Sequence, residues 1–146
     1  MPPPTKLLLD TDVGTDVDDA LAIGLAVASS ELELRAVTTV SGDVHLRGRI
    51  AKNLLTLAGR ADVPVAGGVR EPLLRQRNFF WLGHEGRGIV NGDEDLALAR
   101  AHGVDLMIDG AFQLIEDPGA PELDAAVSVD APRFVEFMLQ RLERLT

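Results

Sequence analysis

Carboxylates crowd the segment that follows the first apolar run of the chain. The run covers residues 6–10, and five of the ten residues that begin at its last position are aspartates: Asp10, Asp12, Asp16, Asp18 and Asp19. Ionised carboxylates this close together repel one another unless a cation or ample solvent offsets the repulsion. The first element of the fold must therefore end where this cluster can reach water or a metal ion.

The first 68 residues alternate between strand-like and helix-like runs. Apolar and β-branched runs predict strands over 6–10, 32–40 and 63–66, and longer periodic runs predict helices over 20–28 and 46–58. This alternation indicates an α/β fold with a mostly parallel, Rossmann-like sheet and helices on both faces. The Asp-rich segment would then lie at the carboxyl edge of the sheet, where ligands bind in such folds.

The second predicted helix, 46–58, is amphipathic. Its basic side chains are expected on the faces away from the apolar stripe: Arg47, Arg49 and Lys52. Beyond residue 93 the periodicity is weaker. The patterns there indicate three helices, over 95–102, 111–116 and 132–145, and two strands, over 104–108 and 125–129.

Composition narrows the class of protein. The 146 residues include 14 Lys+Arg and 23 Asp+Glu, which gives a formal net charge of −9. This acidic balance argues against nucleic acid or an anionic membrane as the main partner. No apolar run approaches the length of a transmembrane helix, and the first residues do not resemble a signal peptide. Without Cys there is no thiolate site, and we expect a cytoplasmic protein.

Three other interpretations of the aspartates were weighed. A Ca²⁺-binding helix–loop–helix loop beginning at Asp10 would need Gly and Glu where Thr15 and Leu21 stand, so it is excluded. A phosphatase of the haloacid dehalogenase type would also begin with an apolar strand and Asp-x-Asp. Gly14 and the placement of Lys52 fit that pattern poorly, so it stays a minor alternative. A solvated turn with an aspartate that caps the next helix is the third.

Four segments in order resemble the inosine-uridine preferring nucleoside hydrolases. They are LLLDTDVGTDVDDALA at 7–22, VTTVSGD at 37–43, VPVAGG at 63–68 and GHEGRG at 83–88. The segment VSVDAPRF at 127–134, followed by an amphipathic run, is similar to the C-terminal part of the family. The resemblance implies Ca²⁺-dependent hydrolysis of the N-glycosidic bond of ribonucleosides, which yields ribose and free base.

The resemblance also implies a role for each signature aspartate. Asp12 would bind Ca²⁺ and act as the general base, and Asp19 would bind Ca²⁺. Asp18 would hold a ribose hydroxyl, and Asp10 would support the metal site. Asp16 is an additional carboxylate, since the usual signature is two residues shorter here, and its role is left open.

Three further site residues follow from the same resemblance. Asp43 would bind a sugar hydroxyl or stabilise its turn, and His84 would lie near the sugar or base. Asp109 is a candidate for a further metal ligand, with a turn at Asp109-Gly110 as the alternative.

Members of the family are about twice as long as this chain. We therefore expect a single but incomplete nucleoside hydrolase-like domain over 1–146, with an N-terminal half at 1–92 and a C-terminal stub within 93–146. A shortened sheet would expose apolar faces and an unpaired edge, which predicts a homo-oligomer. The alternative to an active enzyme is an inactive remnant that binds Ca²⁺ or ribose weakly.

Overall fold

The computed structural model describes residues 3–72, 83–90, 96–108, 139–140 and 143. Within them a parallel sheet of three strands has the order β1-β2-β3, formed by Thr5–Thr11, Leu32–Thr39 and Val65–Gly67. Helices α1, Asp18–Ala28, and α2, Val44–Leu57, connect these strands in turn. The predicted α/β fold with a parallel sheet is thus confirmed, and each predicted element of the first 68 residues is present.

The core lies between the sheet and the two connecting helices. Ile23 of α1, Ile50 and Leu55 of α2, and Val37 and Val65 of the sheet are each at most 1% exposed. A bulge at Arg35 shifts the register of β2 against β1, so that Leu34 and Val37 both enter this core despite their odd spacing. The apolar runs therefore form a sheet covered by helices because they have apolar side chains to bury on that face.

Helix α3, Gly103–Ile108, approaches the sheet elsewhere. Thr38 points away from the face that Val37 uses, because side chains alternate along a strand. A Cβ atom on Gly103 would lie 3.3 Å from the Thr38 Cβ and 3.2 Å from the Gly68 Cα. Glycine at this position therefore allows α3 to begin against the carboxyl ends of β2 and β3.

Two predictions for the second half were wrong. Residues 96–102 form no helix, and the run predicted as a strand over 104–108 lies in α3. A short apolar run does not distinguish a strand from a helix, and Asp105 in the first turn favours the helix through the helix dipole. The elements predicted over 111–116, 125–129 and 132–145 lie wholly or largely outside the described residues.

Arg47 is the third departure. It was expected on a polar face of α2, but its side chain is 2% exposed and points into the protein. In the part of the chain that the structure describes, no helix is long and apolar enough to cross a membrane.

Candidate functional site

The carboxyl ends of the three strands meet at one edge of the sheet. Thr11 of β1 pairs with Thr39 of β2, which in turn pairs with Gly67 of β3. Residues 12–17, which we call the Asp-rich turn, leave this edge and lead directly into α1. The signature aspartates are therefore brought to the edge where a parallel sheet binds its ligands.

The last two residues of β1 hold their polar partners on opposite faces of the sheet. The Thr38 hydroxyl donates a hydrogen bond of 2.6 Å to Asp10 Oδ1. The Thr11 hydroxyl donates one of 2.6 Å to Asp19 Oδ1 and accepts one of 3.1 Å from the Val13 amide. The two threonines fix one carboxylate each, although the sequence motifs did not single out either threonine as part of the site.

Three carboxylates converge where the Asp-rich turn enters α1. One oxygen from each of Asp16, Asp18 and Asp19 lies within 4.8 Å of the others, with Asp16 and Asp18 exposed and Asp19 half-buried. Asp12 is close enough for its charge to raise the pKa of both Asp16 and Asp19. Asp16, whose role the sequence left open, thus belongs to the same cluster as the predicted site residues.

The pKa shifts show that these carboxyl groups oppose one another's ionisation. A hydrogen bond between Asp16 and Asp18 raises the pKa of Asp16 and lowers that of Asp18. Burial raises the pKa of Asp19, the Thr11 hydroxyl partly offsets it, and the charges of Asp12 and Asp18 add to the rise. A cation at this position would relieve the repulsion, since it favours the ionised form of every carboxylate around it.

Neither Asp18 nor Asp19 caps α1. Val17 is the N-cap residue and makes no side-chain cap hydrogen bond, while both aspartates lie in the first turn, where the helix dipole favours negative charge. Asp43 is the aspartate that does act as a cap, because its Oδ1 accepts a hydrogen bond of 3.0 Å from the Leu46 amide at the start of α2.

Arg47 connects α2 to the Asp-rich turn. Its Nε donates to the Ser41 carbonyl at 2.7 Å, and its Nη1 donates to the carbonyls of Asp12 and Val13, the latter at 3.0 Å. Its Nη2 donates to the Thr15 hydroxyl at 3.0 Å. A side chain of α2 therefore holds the backbone that carries Asp12.

The segment 83–90 packs against the same turn. His84 Nε2 lies 2.8 Å from the Thr15 carbonyl, and Glu85 Oε1 lies 3.5 Å from Arg47 Nη2. Burial alone would raise the pKa of Glu85, but the amides of Glu85 and Gly83 and the charge of Arg47 lower it overall. Glu85 is thus an ionised partner of the buried guanidinium, and His84 lies beside the predicted site.

The second half of the chain adds one element at this edge. Helix α3 begins against Thr38, the residue that binds Asp10, as described above. Asp109, the candidate for a further metal ligand, follows α3 directly and lies outside the described residues.

Comparisons with known proteins agree with this geometry. The sequence model of the family described as inosine-uridine preferring nucleoside hydrolase matches residues 7–135. The enzyme of that name from Leishmania major is 35% identical over 147 residues, which cover 91% of this chain and 46% of that protein. The pyrimidine-specific ribonucleoside hydrolase RihA of Enterobacter is 49% identical over 73 residues, 47% of this chain and 22% of its own length.

A solved structure extends the likeness to the fold. The purine-preferring ribonucleoside hydrolase from Gardnerella vaginalis has a TM-score of 0.59 and 32% identity, over 72% of this chain and 35% of its own. The chain spans less than half the length of these relatives. Because the family model covers most of the sequence, the chain belongs to the inosine-uridine preferring nucleoside hydrolase family.

Proposed function

We propose that the Asp-rich turn is the centre of a Ca²⁺-dependent nucleoside hydrolase site, which cleaves the N-glycosidic bond of ribonucleosides to ribose and free base. The observation that carries this proposal is the convergence of Asp16, Asp18 and Asp19 at the carboxyl edge of the sheet, in a chain of this family. The base preference of the relatives differs among them by name, so the proposal is limited to ribonucleosides as a class.

The donor set fits a hard cation. All the converging groups are carboxylate oxygens, which are the ligands that Ca²⁺ prefers, and Ca²⁺ takes about six to eight of them. The raised pKa of Asp19 is the repulsion that such an ion would remove. We assign Asp12 and Asp19 as ligands, with Asp10 in support and Asp109 as a further ligand. Asp16 offers one more carboxylate.

The residues of the chain then have distinct parts in the reaction. A bound Ca²⁺ supplies positive charge that orients a sugar diol and acidifies water. Asp12 accepts the proton from the water that attacks the anomeric carbon, as a general base. Asp18 accepts a hydrogen bond from a ribose hydroxyl. The carboxylates around the sugar stabilise the positive charge that develops on its ring in the transition state.

Two residues near the site are assigned to the substrate. Asp43 uses Oδ1 in the cap of α2, and its other oxygen is assigned to a sugar hydroxyl. His84, held beside the Asp-rich turn by the Thr15 carbonyl, is assigned to the sugar or the base.

Ribose release tests the proposal directly. The full chain is incubated with inosine, uridine or a chromogenic riboside, in Ca²⁺ or in a chelator, and free ribose is measured. We expect release in Ca²⁺ alone, abolished by Asp12→Asn and retained by Asp62→Asn. Asp62 is a matched control because it pairs with Arg60 beside the amino end of β3, away from the site. Equal release by the wild type and Asp12→Asn would refute the assignment of the general base.

A second candidate function is binding without turnover. The observation that favours it is the coverage of 46% of the Leishmania relative, which leaves more than half of that protein without a counterpart in this chain. A folded chain that binds Ca²⁺ or ribose in calorimetry but releases no ribose would support this function. Release of phosphate from a phenyl phosphate would instead support the phosphatase alternative.

For its assembly we propose a homo-oligomer in the cytoplasm. Leu57 of α2 and Val17 of the Asp-rich turn are 77% and 65% exposed, and such apolar side chains favour association. Light scattering on the purified chain measures its mass, and a monomer at micromolar concentration would contradict the proposal.

A further inference from the structure

A buried arginine stands beneath the proposed site. The Arg47 side chain is 2% exposed, although a guanidinium taken out of water loses several kcal/mol of hydration energy, of the order of magnitude given for buried ions. Its N–H groups reach three backbone carbonyls, one hydroxyl and one carboxylate. Four of these five partners are neutral, so charge pairing alone does not explain why an arginine occupies the position.

The Asp-rich turn has little backbone structure of its own. Among the described residues, no backbone–backbone hydrogen bond outside the strands and helices begins or ends at residues 12–16. The turn is held by side chains instead. Thr11 accepts from the Val13 amide, His84 contacts the Thr15 carbonyl, and Arg47 binds Asp12, Val13 and Thr15.

We propose that Arg47 is a positioning residue for the nucleoside hydrolase site, a role that rests on the function proposed above. It fixes the Asp12 carbonyl and the Thr15 hydroxyl, and so sets where the exposed Asp12 and Asp16 carboxylates stand relative to Asp19.

The planar shape of the guanidinium is what makes this role possible. Five donors in a fixed fork reach acceptors in several directions at once, whereas a lysine has a compact charge on a flexible stem. Replacement of a buried ionic group by a well-packed apolar one is often neutral or stabilising. The specific contribution of Arg47 is therefore the geometry of the turn, and through Glu85 and Ser41 the same side chain ties it to segment 83–90 and to the end of β2.

Arg47→Lys tests the proposal with two measurements on the full chain. The first is the Ca²⁺ dissociation constant from calorimetry, and the second is the hydrogen exchange of residues 12–17 in chelator. We expect Ca²⁺ binding about 10-fold weaker, the scale seen when groups that orient metal ligands are removed. We also expect faster exchange in 12–17 with unchanged exchange in α1 and β2. Arg35→Lys is the matched control, since Arg35 is exposed and pairs with Glu33.

Each outcome decides the proposal. Where the wild type binds Ca²⁺, an unchanged dissociation constant in folded Arg47→Lys overturns it. Where the wild type does not bind Ca²⁺, the proposed function fails, and exchange decides: acceleration in 12–17 supports the positioning role and wild-type exchange overturns it. If Arg47→Lys does not fold, Thr15→Val removes one acceptor of the same guanidinium and is judged by the same two measurements.

Discussion

The Thr38 hydroxyl donates a 2.6 Å hydrogen bond to Asp10 Oδ1, across the neighbouring strands β2 and β1. The two residues are register partners, so the parallel pairing of the strands brings them together at the carboxyl edge of the sheet. Thr38 is 1% exposed, whereas Asp10 is exposed. A buried hydroxyl thus fixes a carboxylate that faces water and holds one of its oxygens beside the proposed metal site.

Thr38→Val removes this donor and keeps the shape of the side chain. We expect the free energy of unfolding to fall by about 0.5–1.5 kcal/mol, because Asp10 can replace the lost partner with water. We also expect Ca²⁺ to bind several-fold more weakly, by roughly the 10-fold typical of groups that orient metal ligands. Urea unfolding in chelator and calorimetry measure the two effects. Thr39→Val is the control, since the Thr39 hydroxyl binds the Val44 carbonyl in α2, and an equal loss of Ca²⁺ affinity there would contradict the prediction.

Asp19→Asn should have opposite effects on stability with and without metal. The raised pKa of Asp19 means that the folded protein holds its proton more tightly than the unfolded chain does. The wild type therefore loses stability as pH rises from the ordinary pKa to the raised one, and the full loss persists at pH 7. In chelator at pH 7 we expect Asp19→Asn to be more stable by a few tenths, about 0.3 kcal/mol, since the site is partly solvated.

The same variant should lose its advantage in two conditions. Below the ordinary pKa of Asp19 the wild type is protonated and the two proteins should unfold alike. In saturating Ca²⁺ the wild type should be the more stable protein, because binding to the folded state alone stabilises it. Thermal unfolding across pH 3 to 8 in chelator, and at pH 7 in Ca²⁺, measures these differences. A wild type that gains nothing from Ca²⁺ over the variant would remove Asp19 from the ligand set.

The sequence predicts those parts of the fold that depend on local periodicity. Strand β1 and helix α2 are visible as an apolar run and an amphipathic stripe, and their order predicts the parallel sheet. The Asp-rich turn is visible because several carboxylates in one segment need a common explanation. Its position at the carboxyl edge then follows from the order of the elements.

Contacts between distant segments could not be predicted in this way. Arg47 reads as a polar-face residue of α2, because its neutral partners are backbone carbonyls that have no signature in sequence. Thr38 is one of two adjacent threonines, and only the register of β2 against β1 selects it as the partner of Asp10. The run in α3 fails for a different reason, since it is too short for its periodicity to distinguish a helix from a strand.

Asp43 allows the cap of α2 and a sugar contact to be separated. Asp43→Ala should reduce the free energy of unfolding by about 1 kcal/mol, because the Leu46 amide loses its acceptor. Asp43→Ser should stay near wild-type stability, since serine is also a good cap, but its shorter side chain no longer reaches a ligand. If Asp43 also binds a sugar hydroxyl, calorimetry should show weaker ribose binding in Asp43→Ser. Equal ribose affinity in Asp43→Ser and the wild type would leave Asp43 as a cap alone.

Gly14→Ala should destabilise the Asp-rich turn more than backbone strain alone explains. Gly14 has φ +117°, and an added Cβ would lie 2.6 Å from Ile50 Cδ1, which is buried in the core. The turn would have to move away from α2, so we expect a loss of about 2–3 kcal/mol from strain and overpacking together. Gly59→Ala is the matched control, because Gly59 has φ +72° with no atom within 4 Å of its added Cβ. Urea unfolding of both variants isolates the contact with Ile50, and a loss in Gly14→Ala no larger than in Gly59→Ala would show that the turn can shift without penalty.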